Sequence, residues 1–239
     1  MVGTEGGLEG RLASLDWGRA EEALDARGHA LLGPILSPAE CASLIEAYGQ
    51  ELYRKRIVMD AHSYGSGEYK YFRYPLPEPV AQLREGLYAR LVSVANRWAE
   101  ALGQQERYPP RLAEMIARCR AQGQERPTPL LLRYDRGGYN RLHQDIYGAV
   151  HFPLQVLVLL SRPGADFRGG EVVFTEQRPR VQSRAYVLAP AQGEALVFAS
   201  NRRPVPGKRG YAAVTMRHGV SDVLCGQRFT LGLIFHDAE

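Results

Sequence analysis

The pattern of hydrophobic and polar positions divides the chain into a helical first half and a strand-rich second half. Apolar residues at spacings of three and four predict a long amphipathic helix over 79–102. Ser37-Pro-Ala-Glu40 combines a capping serine, a proline and a reciprocal glutamate, which predicts a helix over 37–52. Shorter elements are predicted around these two, with helices over 16–27 and 110–121 and strands over 29–32, 56–59 and 69–74.

After Pro127 the pattern changes to short apolar or alternating runs that are separated by turn signals. Strands are predicted over 130–134, 141–145, 154–160, 171–174, 185–188, 195–198, 211–218 and 228–235. Strands at this density are typical of a barrel or a double-sheet jelly roll. Because helices crowd one half and strands the other, we expect an α+β fold with helices packed on one sheet face.

The chain shows no internal repeat and no low-complexity linker, so we expect one domain over residues 1–239. Residues 1–125 would form helical support with N-terminal strands, and residues 126–239 a jelly-roll core. No apolar run reaches the roughly 18 residues of a transmembrane helix, and we expect no membrane partner. Three scattered cysteines argue against a disulfide framework and are typical of a reducing cytoplasm, the location we expect.

The net charge of +4 is unevenly distributed along the chain. Residues 1–125 hold 15 basic and 17 acidic residues, whereas residues 126–239 hold 15 and 9. A basic second half would attract an anionic substrate, nucleic acid included. Because no dense lysine and arginine cluster is present, the excess could instead reflect solubility and one arginine that binds a small dicarboxylate.

The most informative chemical signal is a histidine and an aspartate two residues apart, His143 and Asp145. In a strand these side chains point to the same face and can reach one ion. A lone His-x-Asp is weak evidence, but His218 closes a predicted strand on its inward face. The three residues would form a 2-His-1-carboxylate triad, which holds Fe(II) and is catalytic. The alternatives are a structural His143–Asp145 hydrogen bond and a core histidine at position 218.

A second signal lies on the last predicted strand, where Arg228, Thr230 and Gly232 share one face. Small neighbours leave room for a ligand beside the guanidinium, whose planar fork binds a carboxylate bidentately. We therefore predict that 2-oxoglutarate and O₂ bind at the metal, with the distal carboxylate of 2-oxoglutarate on Arg228 and Thr230. Tyr134 is a candidate hydrogen-bond donor to it. The alternative is that Arg228 pairs with a buried acid. The other histidines, His29, His62, His151 and His236, are predicted to be structural or solvated.

These residues carry a family resemblance. The pattern of His143, Asp145, His218 and Arg228 resembles the 2-oxoglutarate/Fe(II)-dependent dioxygenase superfamily. Residues 134–145 resemble its prolyl-hydroxylase-like branch, although Tyr139 lies one residue further from the histidine than is usual. More narrowly, a bacterial oxygenase family described as acting on alkylated DNA is resembled from about residue 29 to the end, above all in 67–77, 126–134, 175–184 and 217–221.

The resemblance implies a double-stranded β-helix with the iron at its open mouth. It implies an oxidoreductase that uses Fe(II), 2-oxoglutarate and O₂, and that yields succinate and CO₂ as it hydroxylates a C–H bond. On an N-methyl group, hydroxylation ends in loss of formaldehyde, which would be a DNA-repair reaction. The alternatives are a prolyl or peptide hydroxylase, a hydroxylase of a small metabolite, and a non-catalytic barrel that binds a metal or ligand.

Three groups of residues are candidates for contact with the substrate. Lys70, Tyr71 and Arg73 lie in an aromatic, basic strand that could stack on a base and hold phosphate. Arg202 and Arg203 lie in a predicted loop between two strands, where binding residues concentrate. Gln144 and Tyr147 flank the metal motif and are predicted to line the pocket mouth. The alternatives are an edge strand packed on helices for the first group and contact with water alone for the second.

Overall fold

The computed structural model describes residues 7–105, 107–208 and 210–239. Residues 1–6, 106 and 209 of the predicted domain lie outside this description. The α-helices are α1 (Leu8–Ala13), α2 (Trp17–Arg27), α3 (Pro38–Ala47), α4 (Glu78–Ala101) and α5 (Leu112–Arg120), and a 3-10 helix spans Met59–His62. Among the described residues, no helix combines the length and the apolar character needed to cross a membrane.

Local sequence explains where the helices begin. The Ser37 side chain accepts a hydrogen bond from the Glu40 backbone, and the Glu40 carboxylate accepts one from the Ser37 backbone, so the predicted capping box is confirmed. The helix it opens ends at Ala47, earlier than the predicted position 52. Asp16 caps α2 through the backbone of Arg19.

The strands form two antiparallel sheets and a small ribbon. They are β1 (His29–Pro34), β2 (Tyr53–Val58), β3 (Gly65–Ser66), β4 (Glu68–Phe72), β5 (Leu130–Tyr134), β6 (Tyr139–His143), β7 (Leu154–Leu159), β8 (Phe167–Gly169), β9 (Val172–Gln177), β10 (Arg184–Leu188), β11 (Glu194–Ala199), β12 (Arg202–Gly207), β13 (Gly210–Val220), β14 (Val223–Gly226) and β15 (Arg228–Ile234). The seven-stranded sheet has the order β1-β11-β7-β15-β5-β4-β2. The six-stranded sheet has the order β10-β9-β13-β6-β3, with β12 also paired to β13, and β14 pairs with β8.

The elements stack as helices, large sheet and small sheet. One apolar cluster joins α2, α3 and α4 to the outer face of the large sheet. A second cluster, of Leu157, Val172, Phe174, Leu196 and Phe198, joins the two sheets to each other. Every residue of β7 and β15 is buried because both faces of the large sheet are covered. The predicted α+β class is confirmed, with helices on one sheet face.

The strand predictions are correct where a segment has an apolar pattern of its own. They are wrong where the sequence of a strand is polar. All eight runs predicted after Pro127 correspond to strands, and seven of them have shifted ends. The segment that contains Arg202 and Arg203 was expected to be a loop and instead begins β12, which pairs with β13. The strand that was expected to reach Asp145 ends at His143, which is paired with His218.

Candidate active site

A cavity of about 410 Å³ opens between the two sheets. Its walls are supplied by β4, β5, β6, β7, β9, β11, β13 and β15, together with the segments that follow β6 and precede β3. The cavity contains the predicted metal motif, the predicted co-substrate arginine and several tyrosines. The jelly roll therefore brings together side chains as distant in the chain as Ser63 and Ile234.

Two strands place the histidines side by side. His143 ends β6 and is the register partner of His218 on β13, so their rings lie 4.2 Å apart between centroids. Asp145 follows two residues after His143, outside the strand. Its carboxylate oxygens lie 3.5 Å from His143 Nε2 and 3.2 Å from His218 Nε2. One potential ligand atom from each residue lies within 4.8 Å of the other two, a separation that suits one shared ion.

The hydrogen bonds and charges around the three residues suit a cation. His143 Nδ1 lies 2.7 Å from the Arg141 carbonyl oxygen, which only accepts, so the Nε2 lone pair is left free. Burial lowers the pKa of His218, against the opposing effect of the Asp145 carboxylate. Burial acts to raise the pKa of Asp145, but its hydrogen bond and charge interaction with His218 outweigh this and leave the pKa lowered. Two imidazoles and a carboxylate therefore face one another.

Two side chains orient the Asp145 carboxylate. The Tyr147 hydroxyl donates to Oδ1 at 2.6 Å, and Gln155 Nε2 donates to Oδ2 at 3.0 Å. Each oxygen keeps a lone pair for a metal. Tyr147 was predicted to line the pocket mouth, whereas Gln155 was missed. A glutamine within the apolar run of β7 was the available signal, because a buried amide requires partners.

A second glutamine holds the loop that carries Tyr147. Gln124 is fully buried, and its Nε2 donates to the carbonyls of Tyr147 at 3.0 Å and Val150 at 2.8 Å. Gly148 has a φ of +83°, and a Cβ there would lie 2.5 Å from Gln124 Cδ. Position 148 therefore requires glycine both for its backbone conformation and for the close approach of this amide. Sequence reasoning gave no sign of Gln124.

Arg228 is buried deeper in the same cavity. Its Nη1 donates to Thr230 Oγ1 at 2.6 Å, while its Nε has no partner among the described residues. No described carboxylate forms a salt bridge with its guanidinium, and burial lowers the pKa of Arg228 to about 10. A Cβ at Gly170 would lie 2.7 Å from Arg228 Cδ, so the glycine provides the space that this side chain occupies. The alternative that Arg228 pairs with a buried acid is not what the described residues show.

Tyr134 provides the second unpartnered polar group. Its hydroxyl is buried, with Asn140 as a weakly interacting neighbour and no well-formed hydrogen bond to a described residue, and burial raises the pKa of the phenol to about 12. Its ring lies 5.7 Å from the Arg228 guanidinium carbon. Buried polar groups are normally paired, so a phenol and a guanidinium left unpaired in one cavity indicate a place for an anionic ligand. The residues thus fit a divalent metal and a dicarboxylate.

The structure brings only some of the predicted substrate residues to the cavity. Tyr71, Gln144 and Tyr147 line it. Lys70 points to the opposite side of β4, where its Nζ donates to the Tyr48 carbonyl at 2.7 Å and lies over the Tyr48 ring. The prediction that Lys70 holds substrate phosphate therefore needs correction, because strand alternation turns it away from its pocket-lining neighbours.

The remaining arginines also lie away from the cavity. Arg203 is 1% exposed and donates through Nε to Glu176 at 3.1 Å, so it is a structural partner of that acid and the prediction of substrate contact is wrong. Arg73 and Arg202 are exposed but are not among the residues that line the cavity. The cavity walls are therefore more aromatic and less basic than the sequence suggested.

With the geometry established, comparison with known proteins identifies the family. Residues 67–238 match the model of Oxygenase-NA, described as an oxygenase that catalyses oxidative methylation of damaged DNA. The chain belongs to this family. It is also 41% identical over 196 residues to an uncharacterised protein of Mycobacterium tuberculosis, an alignment that covers 82% of this chain and 79% of the relative. The Oxygenase-NA match includes His143, Asp145, His218 and Arg228.

Solved structures establish the fold of this family member. A 2OG-Fe(II) oxygenase family protein of Burkholderia pseudomallei is 18% identical, with a TM-score of 0.51 over 100% of this chain and 96% of that one. A prolyl hydroxylase of Trichoplax adhaerens, solved with a hypoxia-inducible-factor peptide, is 14% identical, with a TM-score of 0.53 over 97% and 93%. The predicted double-stranded β-helix is confirmed, and so is the predicted oxygenase class. The predicted cofactors, Fe(II), 2-oxoglutarate and O₂, suit the residues that the cavity presents.

Proposed function

We propose that this oxygenase is an Fe(II)- and 2-oxoglutarate-dependent dioxygenase that hydroxylates an alkyl C–H bond on damaged nucleic acid and so removes an N-methyl group. One observation carries the proposal. A His-Asp-His cluster and an unpaired buried guanidinium face the same cavity. The guanidinium buries a charge without an acid partner among the described residues, which costs stability unless a ligand compensates it. Together they fit a metal and a dicarboxylate.

Each residue has a role in this proposal. His143, Asp145 and His218 would hold Fe(II), which when bound supplies the redox chemistry that activates O₂. Arg228 and Thr230 would bind the distal carboxylate of 2-oxoglutarate, because a buried guanidinium next to a hydroxyl offers charge and a hydrogen bond. Tyr134 would donate its unpartnered hydroxyl to the same co-substrate. Tyr147 and Gln155 would keep Asp145 in the orientation that binds metal.

The nucleic-acid substrate is supported by the family description and by the charge of the C-terminal half. Tyr69, Tyr71 and Tyr147 line the cavity beside the metal cluster and offer flat faces for an aromatic base. The likeness to a prolyl hydroxylase concerns the fold and brings no peptide substrate with it. Once hydroxylated, an N-methyl carbon becomes a hemiaminal, which collapses to formaldehyde and the bare amine.

The test begins with the purified protein and its proposed ligands. Anaerobic addition of Fe(II) and 2-oxoglutarate should produce a weak visible charge-transfer band, and admission of air should produce succinate. An N-methylated oligonucleotide should raise succinate formation and release formaldehyde, whereas the unmethylated oligonucleotide should release none. His143→Ala and Asp145→Ala should abolish both band and turnover, and His151→Gln, outside the site, is the matched control. Absence of both band and succinate would exclude the proposal.

A further inference from the structure

Apolar and aromatic side chains are exposed at the mouth of the cavity. Tyr64 is 50% exposed and Leu142 is 46% exposed, and both line the cavity. The His62 ring lies parallel to the Tyr64 ring, with centroids 5.3 Å apart and an interplanar angle of 22°. We call His62, Tyr64, Arg141 and Leu142 the mouth patch.

Main-chain contacts hold the mouth patch together. The Arg141 amide donates to the Tyr64 carbonyl at 2.8 Å. The next residue, Gly65, pairs with Asn140 on β6, and a Cβ at Gly65 would lie 2.3 Å from the Tyr139 carbonyl oxygen. Glycine at position 65 therefore lets the segment that carries Tyr64 lie directly against the strand that carries the metal ligand His143. The patch is fixed relative to the reacting centre.

The charge of the patch is positive. Arg141 is exposed, its guanidinium lies 5.7 Å from the Tyr139 ring, and it forms no salt bridge with a described acid. Asp145, a proposed metal ligand, is the only carboxylate among the described residues that line the cavity. Asp60, close to His62 in sequence, lines a different depression together with Glu68 and Asp135. Arg141 Nη2 donates to the Tyr139 hydroxyl at 3.3 Å, which leaves its charge without an acid partner among the described residues. A cation of this kind beside exposed rings suits a phosphate next to a base.

We propose that the mouth patch binds the unpaired strand that flanks the damaged base, with a neighbouring base stacked on Tyr64 and a phosphate on Arg141. This inference rests on the proposed nucleic-acid substrate. An enzyme that acts on a base must take that base out of the helical stack, so the flanking nucleotides need a new stacking surface. Stacking on exposed aromatic rings with a nearby cation is the general mode of single-strand binding. Leu142 supplies the apolar contact beside the opened stack.

The chain offers matched controls for Tyr64, Arg141 and Leu142 of the mouth patch. Tyr211 is an exposed tyrosine, at 58%, that does not line the cavity. Arg184 is an exposed arginine over a tyrosine ring, with its guanidinium 4.8 Å from the Tyr186 centroid. Leu224 is an exposed leucine, at 65%, elsewhere on the surface. Each control matches a patch residue in type and exposure and differs from it in location.

The experiment measures binding of a fluorescein-labelled single-stranded oligonucleotide of about 12 nucleotides by anisotropy across a salt series. Tyr64→Ala and Leu142→Ala should each weaken binding, Tyr64→Ala about tenfold because one stacking contact is lost. Arg141→Gln should weaken binding and reduce the slope of log Kd against log salt by about 0.7, the value for one single-strand phosphate. Tyr211→Ala, Arg184→Gln and Leu224→Ala should stay within about twofold of the original protein, as expected for surface sites without contact.

The outcomes separate this inference from the function on which it rests. If patch and control variants bind equally, the patch is not the binding surface. If the original protein ignores the oligonucleotide but turns over 2-oxoglutarate, the nucleic-acid surface is overturned while the dioxygenase chemistry stands. Displacement of the oligonucleotide by a proline-containing peptide would also overturn it. Thermal unfolding of each variant identifies any loss of binding that reflects a damaged fold.

Discussion

Three arginines are among the largest fully buried side chains, and they divide between two kinds of region. Arg84 extends from α4 and pairs with Asp237 at 2.9 Å, while its Nε donates to the Ile234 carbonyl at 2.8 Å. Arg203 pairs with Glu176 and so joins β12 to β9. Each of these two buried arginines has an acidic partner, and each ion pair connects two segments of the fold.

The cavity differs from these two regions. There Arg228 is equally buried, but its hydrogen-bond partner is the Thr230 hydroxyl instead of an acid. An unpaired buried charge costs several kcal/mol, which a fold does not retain without another use. The comparison teaches that burial of an arginine does not reveal its role, whereas the presence or absence of an acid partner does. Substitution of each arginine should therefore affect a different property.

The largest expected effect comes from breaking the pair on the helical side. Arg84→Met leaves Asp237 buried with the Tyr74 hydroxyl as its remaining side-chain donor, which should lower the free energy of unfolding by about 3–5 kcal/mol. For a chain of this size the melting temperature should fall by roughly 10 °C. Chemical denaturation measures the loss, and Arg84→Met combined with Asp237→Asn should recover part of it. A decrease in the free energy of unfolding of less than about 1 kcal/mol would show that this ion pair does not stabilise the fold.

Arg228→Met should have the opposite profile. Without ligand the protein should be as stable as before or more stable, because an uncompensated buried charge is removed. Affinity for 2-oxoglutarate should fall about 100- to 1000-fold, since a charged bidentate contact of roughly 3–4 kcal/mol is lost. Anaerobic titration calorimetry with Fe(II) measures the affinity, and Thr230→Val should lower it less. If the ligand-free variant were destabilised as much as Arg84→Met, the contrast between the two regions would be lost.

The sequence predicted the parts of the site that depend on local pattern. His143 and Asp145 are neighbours in the chain, and the two-residue alternation of β15 is enough to place Arg228 and Thr230 on one face. The α+β class followed from the same periodicities. These predictions needed no knowledge of which segments meet in space.

The residues that were missed or misplaced depend on partners far away in the chain. Arg203 looked exposed because its own segment is polar, yet its acid, Glu176, comes from another strand. Gln124 reaches a loop 23 residues later, which no local signal announces. Lys70 was assigned by composition, although its neighbours on β4 have the opposite orientation. Pairing across the fold decided each of these cases.

The smallest expected effect comes from His29, which lies beside the second buried ion pair, Arg203 and Glu176. This residue lies on β1 close to Arg203 and Glu176, and its ring stacks on Phe174 at 5.2 Å. Burial, and then the charges of Arg27 and Arg203, lower the pKa of His29 to about 4 from its usual 6.5. Near neutral pH the ring is therefore uncharged in both the folded and the unfolded chain.

As the pH falls below about 6.5, the unfolded chain binds a proton that the folded chain binds only near pH 4, so stability is lost across this window. His29→Phe keeps a stacked ring and removes the titrating group. It should abolish about 2 kcal/mol of the stability lost between pH 6.5 and pH 4, allowing for solvent screening. Urea unfolding at several pH values measures this, with the exposed His62→Phe as control. If both variants kept the original pH slope, His29 would not be the source of acid sensitivity beside the Arg203 and Glu176 pair. The charges of Arg203 and Glu176 would then have to accommodate a protonated His29.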